Sequence, residues 1–238
     1  MLTSKQMKKK LYAIFPFIPK VNLAIGTYLY SLKVKLSAKA VIRQLSNQRD
    51  LYANVGCGSW GLKGWTNVDL GNHENVTYRF NCSKSIPFAD NSVKGLFTEH
   101  FFEHLEYETE VPFFLKDCHR AMQKGGVMRI VVPDAEKYLI GYVQPGWDYL
   151  KQTRPLDDDL NDLSMGIKYQ TKMQLINEVF RQSGEHKYAW DFETMKLSLL
   201  KAGFSEVYKM AFLESKDPVL KIDKEVRKPE SLYVEAIK

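Results

Sequence analysis

Three cysteines, no acidic side chain before position 50 and no apolar run long enough to cross a bilayer set the outer limits of this chain. Cys57, Cys82 and Cys118 are odd in number and far apart, which argues against a disulfide framework or a zinc cluster. Reduced thiols in a cytoplasmic compartment are the expectation. The apolar stretch after Lys10 is interrupted by Pro16 and Pro19 and has no small-residue cleavage site, so no secretory signal is expected either. Internal repeats and low-complexity tracts are also missing. What remains is a chain of 238 residues with 45% hydrophobic content, enough to bury one full core with an appendage.

Charge is divided unevenly along the chain. Residues 1–49 carry ten basic side chains and no acid, while the remainder carries 24 basic and 28 acidic, a net of −4. The formal charge of +6 therefore belongs to an N-terminal arm, residues 1–49. Leu11, Tyr12, Ile14, Phe15, Phe17 and Ile18 lie among its lysines, a mixture suited to peripheral contact with an anionic membrane surface. RNA phosphates would attract the same charges, but no RNA-reading or base-stacking motif accompanies them, so nucleic acid is not the expected partner. A helical extension packed on the body, its lysines merely solvated, is the plainer reading of the arm.

Residues 51–69, LYANVGCGSWGLKGWTNVD, read as a strand, a glycine turn and a second strand ending in an acid. Gly56 and Gly58 allow a sharp turn and let a ligand lie against backbone N–H groups, and Asp69 is placed to accept hydrogen bonds from two neighbouring ribose hydroxyls. Gly56, Gly58 and Gly61 satisfy G-x-G-x-x-G, but a dinucleotide site expects a helix directly afterwards and an acid about 20 residues on. Gly61 and Gly64 disfavour that helix and Asp69 comes too soon, so a dinucleotide fits poorly. A glycine-rich turn with a capping Asp is the alternative without a ligand.

From residue 51 strands and helices alternate, the pattern of a layered α/β sheet. Strands are predicted at Leu51–Val55, Thr66–Asp69, Val76–Phe80, Gly95–Thr98, Val127–Val132, Glu206–Phe212 and Tyr233–Ile237. Glu103–Met122 carries apolar residues at helical spacing, with Gly125-Gly126 as its stop, and Phe192–Ala202 is a second helix closed by Gly203. Residues 135–185 form an insertion containing the acidic knot Asp157, Asp158, Asp159 and Asp162, then an amphipathic segment with Met173, Leu175, Ile176, Val179 and Phe180. Following the fifth strand of a parallel sheet, it would lie over the ligand crevice as a helical lid.

Four segments in order carry a family resemblance: NVGCG with NVDL, IPFADNSVKGLFTEHFFEHL, CHRAMQKGGVMRIVVPD, and EHKYAWDFETMKLSLLKAGFSEV. Together they resemble the class I S-adenosylmethionine-dependent methyltransferases, in the type 11-like branch common among bacterial surface-glycan and natural-product enzymes. The resemblance covers roughly residues 50–238. It implies a Rossmann-like α/β fold, seven mostly parallel strands with helices on both faces and an antiparallel hairpin at the end, to which this chain adds the helical arm and lid. It also implies S-adenosyl-L-methionine as cofactor, methyl transfer to a small-molecule or glycan acceptor by way of oxygen or, less readily, nitrogen, and a role such as polysaccharide biosynthesis.

Carried over by position, Val55, Gly56, Cys57 and Gly58 would hold the methionine end of the cofactor. Asp69, with Leu70, would take the ribose, and Asn81, with Cys82, the adenine. Thr98 and Glu99 would line the pocket near the sulfonium. Asn54 stands where many members have Asp or Glu, Lys94 replaces a common acid, and the crossover between the first two strands is short. Methyl transfer to a hydroxyl needs alignment and removal of one proton. His100, leaving the fourth strand, and His186, where the chain returns from the insertion, are the candidate catalytic bases; each has a structural hydrogen bond or a ligand contact as its plainer role. His104 and His119 read as packing or capping residues, and His73 as a turn residue. His100 to His104 also spell H-x-x-E-H, the inverted zinc-protease signature. That signature needs a helix beginning before His100, whereas GLFT reads as a strand, so no metal is expected. A methyltransferase fold that has lost catalysis and serves as a binding module is the alternative function.

Overall fold

The computed structural model describes residues 36–162 and 164–238. Most of the basic arm therefore lies outside the described residues. Its last part is helical over residues 36–45 (α1), and Val41 and Leu45 are buried in the main core while Leu36 and Ile42 are exposed. That split is one apolar stripe of an amphipathic helix meeting the body. No helix among the described residues is long and apolar enough to cross a membrane.

Seven strands form one sheet: β1 (Leu51–Val55), β2 (Thr66–Asp69), β3 (Tyr78–Arg79), β4 (Val93–Glu99), β5 (Met122–Pro133), β8 (Glu206–Met210) and β9 (Ser231–Ile237), in the order β3-β2-β1-β4-β5-β9-β8. β1 to β5 pair in parallel and β9 runs antiparallel to both β5 and β8. This is the mostly parallel seven-stranded sheet with a terminal antiparallel hairpin that the resemblance implied. β1 and β4 lie at the centre of the order, and the order reverses between them, so the crevice at their carboxyl ends is where a ligand is expected.

Side chains alternate across the sheet. Leu96, Met128, Ile130, Val132 and Val234 join one buried cluster, which also takes Phe114, Leu115 and Cys118 of α2 (Val111–Ala121) and Met195 and Leu199 of α6 (Phe192–Lys201). Phe97, Val127, Val131 and Tyr233 point to the other face, where Leu62 and Trp65 from the β1–β2 crossover and Phe212, Leu220 and Ile222 from the β8–β9 connection cover them. The crossover of residues 56–65 contains no helix, as its two extra glycines forecast.

Several predicted boundaries move. The helix expected at Glu103–Met122 is a 3-10 turn at Phe102–His104 followed by α2, which begins at Val111 with Pro112 in its first turn. A proline has no N–H to give and clashes with the carbonyl four residues back, so it begins a helix but does not sit inside one. Gly125-Gly126 is not the stop of that helix. α2 ends at Ala121, β5 starts at Met122, and the glycines form a bulge in β5 where a Cβ on Gly126 would come within 2.8 Å of the Lys94 carbonyl. β3 and β8 are shorter than predicted, β4, β5 and β9 longer.

The insertion is built from α3 (Ala135–Val143), α4 (Asp148–Thr153), a small hairpin of β6 (Asn161–Asp162) and β7 (Ile167–Lys168), and α5 (Lys172–Arg181). Asp134 caps α3 by accepting from Glu136 N, and Thr171 with Gln174 forms a reciprocal capping box on α5. Tyr138, Leu150, Tyr169, Leu175, Ile176 and Val179 give it a cluster of its own. It departs at Asp134 and returns at Trp190, which bridge each other, and the fully buried Trp190 packs on Phe102 with ring centroids 4.8 Å apart.

Candidate active site

The turn after β1 is held open by backbone geometry. Gly56 and Gly58 have φ of +68° and +50°, the left-handed region that favours glycine. A Cβ on Gly56 would fall 2.1 Å from Phe101 Cγ, whereas the same atom on Gly58 would meet open space. Asp69, at the end of β2, accepts from Gly58 N at 2.9 Å through one carboxylate oxygen and from Gly71 N at 2.6 Å through the other. Each oxygen keeps a second lone pair for a ribose hydroxyl. Burial, then the neighbouring Asp69 charge, push the Cys57 thiol up to about 11, so it stays protonated and does not act as a nucleophile.

A cleft of about 130 Å³ opens above this turn, lined by Asn54, Gly56, Cys57, Gly58, Trp60 and Leu62 from one side and Phe97, Glu99 and His100 from β4 and its exit. Its remaining wall is Ile222, Lys224 and Arg227, from the β8–β9 connection. Lys224 pairs with Glu99 and lies over the Trp60 ring, 4.5 Å from its centroid. Asn54 is buried and donates to Trp60 O at 3.1 Å, so the amide that replaces the common carboxylate fastens the crossover loop. Lys94 forms an exposed pair with Asp50 and faces neither cavity.

A second cavity, about 270 Å³, lies between the end of the sheet and the insertion, with His100, Glu103, His104 and Glu230 on the sheet side and Arg154, Glu178 and His186 among those facing them. His100 has φ of +51°, a strained value for a side chain with a Cβ. Its Nδ1 is 3.2 Å from Glu103 Oε1 and its Nε2 is 3.2 Å from Ser231 Oγ. Glu103 is buried, and among the described residues its carboxylate oxygens have no partner beyond that His100 contact. Burial alone would raise its pKa, but the His100 ring beside it outweighs burial and holds it below the usual carboxylate value. Burial lowers His186, despite Glu103 nearby. Arg154 binds Asp162 and Glu230, each at 2.7 Å, and Arg227 binds Glu230 at 2.8 Å.

Of the residues predicted to hold the cofactor, Gly56, Cys57, Gly58 and Glu99 line the cleft, and Asp69 braces its turn. Val55, Thr98 and Cys82 are buried in the body of the domain, Leu70 is exposed, and Asn81 is exposed with its carbonyl accepting from Ser83 N. Both predicted histidines reach the second cavity. Lys224, Arg227 and Glu230 escaped the sequence reading. Their segment, KIDKEVRKPE, is charged and lacks periodicity, and it is brought over the site by its tether to β9 and by long-range pairs such as Lys224 with Glu99 and Glu230 with Arg154.

Residues 65–130 match the methyltransferase domain family, a span from the start of β2 to within β5 that includes Asp69, His100 and Glu103. No protein of curated function matches the sequence. Among solved structures, the chain is similar to an S-adenosylmethionine-dependent methyltransferase from Thermotoga maritima, with 16% identity, TM-score 0.48 and coverage of 93% of this chain and 98% of the other. It is also similar to one from Archaeoglobus fulgidus, with 19% identity, TM-score 0.44 and coverage of 89% and 99%. The domain match over residues 65–130 supports an S-adenosylmethionine-dependent methyltransferase, and the strand order and the glycine turn braced by Asp69 accord with it. Gly58 and Asp69 fit S-adenosylmethionine, since the turn offers open space at Gly58 and a carboxylate with lone pairs to spare for its ribose.

Proposed function

We propose that the protein moves the methyl group of S-adenosylmethionine to a hydroxyl, or less readily an amine, of a small-molecule or glycan acceptor seated in the second cavity. One observation carries this: His100 and Arg227 line both cavities, so the two spaces meet at a histidine. The cofactor supplies an activated methyl group on a sulfonium. His100 is the general base, accepting the acceptor's proton at Nε2 once that atom exchanges Ser231 for the substrate. Glu103 beside Nδ1 would stabilise the resulting imidazolium. The polar wall of Arg154, Glu178 and Glu230 suits an acceptor rich in hydroxyls, which supports the glycan reading. The insertion acts as the lid that excludes water, and the basic arm as a peripheral contact with an anionic membrane.

Calorimetry with S-adenosylhomocysteine tests the cofactor half. Binding that Asp69→Ala abolishes is expected, whereas no binding at millimolar ligand would favour a catalytically silent module. With a glycan acceptor in hand, His100→Gln should keep cofactor binding and lose transfer by roughly 10²-fold or more, the usual contribution of a general base.

A further inference from the structure

Glu103 joins His104 and His186 in a cluster of which the methyl-transfer reading uses Glu103 alone. One ligand atom from each lies within 4.8 Å of the others. His104 Nδ1 is 3.2 Å from the Glu185 carbonyl and His186 Nδ1 is 2.6 Å from the Val179 carbonyl. A carbonyl only accepts, so both Nδ1 atoms carry the proton and donate it, and in the neutral rings both Nε2 atoms are left with a bare lone pair. This is how metal-binding histidines are held: the ring nitrogen away from the metal is fixed to a backbone carbonyl, which sets tautomer and orientation.

The third member makes the case for a cation. Glu103 is 2% exposed; its Oε1 lies 3.2 Å from His100 Nδ1 without the geometry of a full hydrogen bond, and its Oε2 has no hydrogen-bond partner among the described residues. The Nε2 of His186 faces its Oε1 at 3.9 Å, lone pair toward carboxylate, with no proton donor between them. A buried carboxylate without hydrogen bonds is costly unless paired or metal-bound.

We propose that Glu103, His104 and His186 bind a divalent zinc-type cation. Two imidazoles and one carboxylate are a donor set that zinc takes in sites that keep one position open, and here that position would face the second cavity. The cation would join the 3-10 turn after β4 to the return of the insertion, which backbone bonds already bring together: Lys187 N donates to Glu103 O at 2.8 Å. This departs from the sequence expectation of no metal. It is also not the H-x-x-E-H arrangement, because His100 lies outside any helix and His186, 82 residues from His104, takes its place. Cation binding does not depend on the methyl-transfer reading.

The test uses the full chain, purified with chelator and dialysed, then titrated with zinc against a chromophoric chelator. One zinc per chain is expected, with affinity at least tenfold weaker in His104→Ala, His186→Ala and Glu103→Gln, and unchanged in His73→Ala. Zinc should raise the melting temperature of the parent protein and not that of His104→Ala. Absence of stoichiometric zinc, or zinc held equally well by the His104 and His186 variants, overturns the proposal. Among the described residues the His104 side chain hydrogen-bonds only the Glu185 carbonyl, so His104→Ala decides the matter if His186→Ala does not fold. S-adenosylhomocysteine binding in the same samples reports separately on the methyltransferase reading.

Discussion

Arg129, at the middle of β5, clasps Asp223 with two hydrogen bonds, from Nε at 2.7 Å and Nη2 at 2.6 Å, and both side chains are wholly buried. Nη1 reaches Glu235 on β9 at 2.8 Å and the Glu214 carbonyl at 2.7 Å. Desolvation opposes the charge on Arg129, but the two carboxylates more than offset it. Removing the guanidinium strands two buried acids, so Arg129→Leu should cost about 3–5 kcal/mol in chemical denaturation. Because Asp223 neighbours Lys224 in the wall of the cofactor cleft, the same variant should bind S-adenosylhomocysteine more weakly at temperatures where it remains folded.

Gly56→Ala meets two obstacles at once, a positive φ and the Phe101 ring. Relieving only the second should not rescue it. Calorimetry should show cofactor binding weakened by tenfold or more in Gly56→Ala and still weak in Gly56→Ala with Phe101→Ala, since the left-handed backbone alone costs an alanine roughly 1–2 kcal/mol. Recovery of binding in the double variant would place the whole effect on the ring.

Acid should destabilise the protein through its second cavity. The pKa of His186 is lowered in the fold, chiefly by burial, so the unfolded chain binds more protons as pH falls through the unfolded value near 6.5. Glu103, also lowered, adds its loss further down, as pH drops below the ordinary carboxylate value toward its own. Stability therefore rises with pH across both ranges. Urea midpoints measured from pH 7.5 to 5 should fall in the parent protein and fall less in His186→Gln. Equal slopes would show that His186 is not held neutral.

Glu99 neutralises Lys224 inside the cofactor cleft. S-adenosylmethionine carries a positive sulfonium and S-adenosylhomocysteine does not, so Glu99→Gln should penalise the first ligand more than the second. A shift of roughly tenfold in their affinity ratio is expected at the effective dielectric of such a site. An unchanged ratio would show that the cation and its partner lie outside the reach of the sulfonium.

The sheet was legible because β1 and the central parts of β4 and β5 are short, mostly apolar runs, a pattern that propensity and burial both favour. The turn at Gly56–Gly58 and its acid were legible for a related reason: backbone conformation dictates the residue type. Helix limits were harder. Apolar spacing over Leu105–Met122 continues the helical period upstream of Pro112, and only the proline marks where the hydrogen-bond ladder can start. The far wall of the site could not be read. Arg154, Lys224, Arg227 and Glu230 are charged residues of ordinary surface composition, and they become site residues through pairings that span up to 125 positions, which no local pattern records.

β9 follows every other strand in the chain yet lies between β5 and β8, and Asp223, Lys224, Arg227 and Glu230 belong to the connection it draws in. During synthesis, the glycine turn, its acid and the histidines are therefore made long before anything can close over them. Until residues 231–237 dock, the emerging chain presents the bare edge of β5 and an unroofed crevice. Competence to bind a ligand should thus appear late and abruptly, as the last strand slots home.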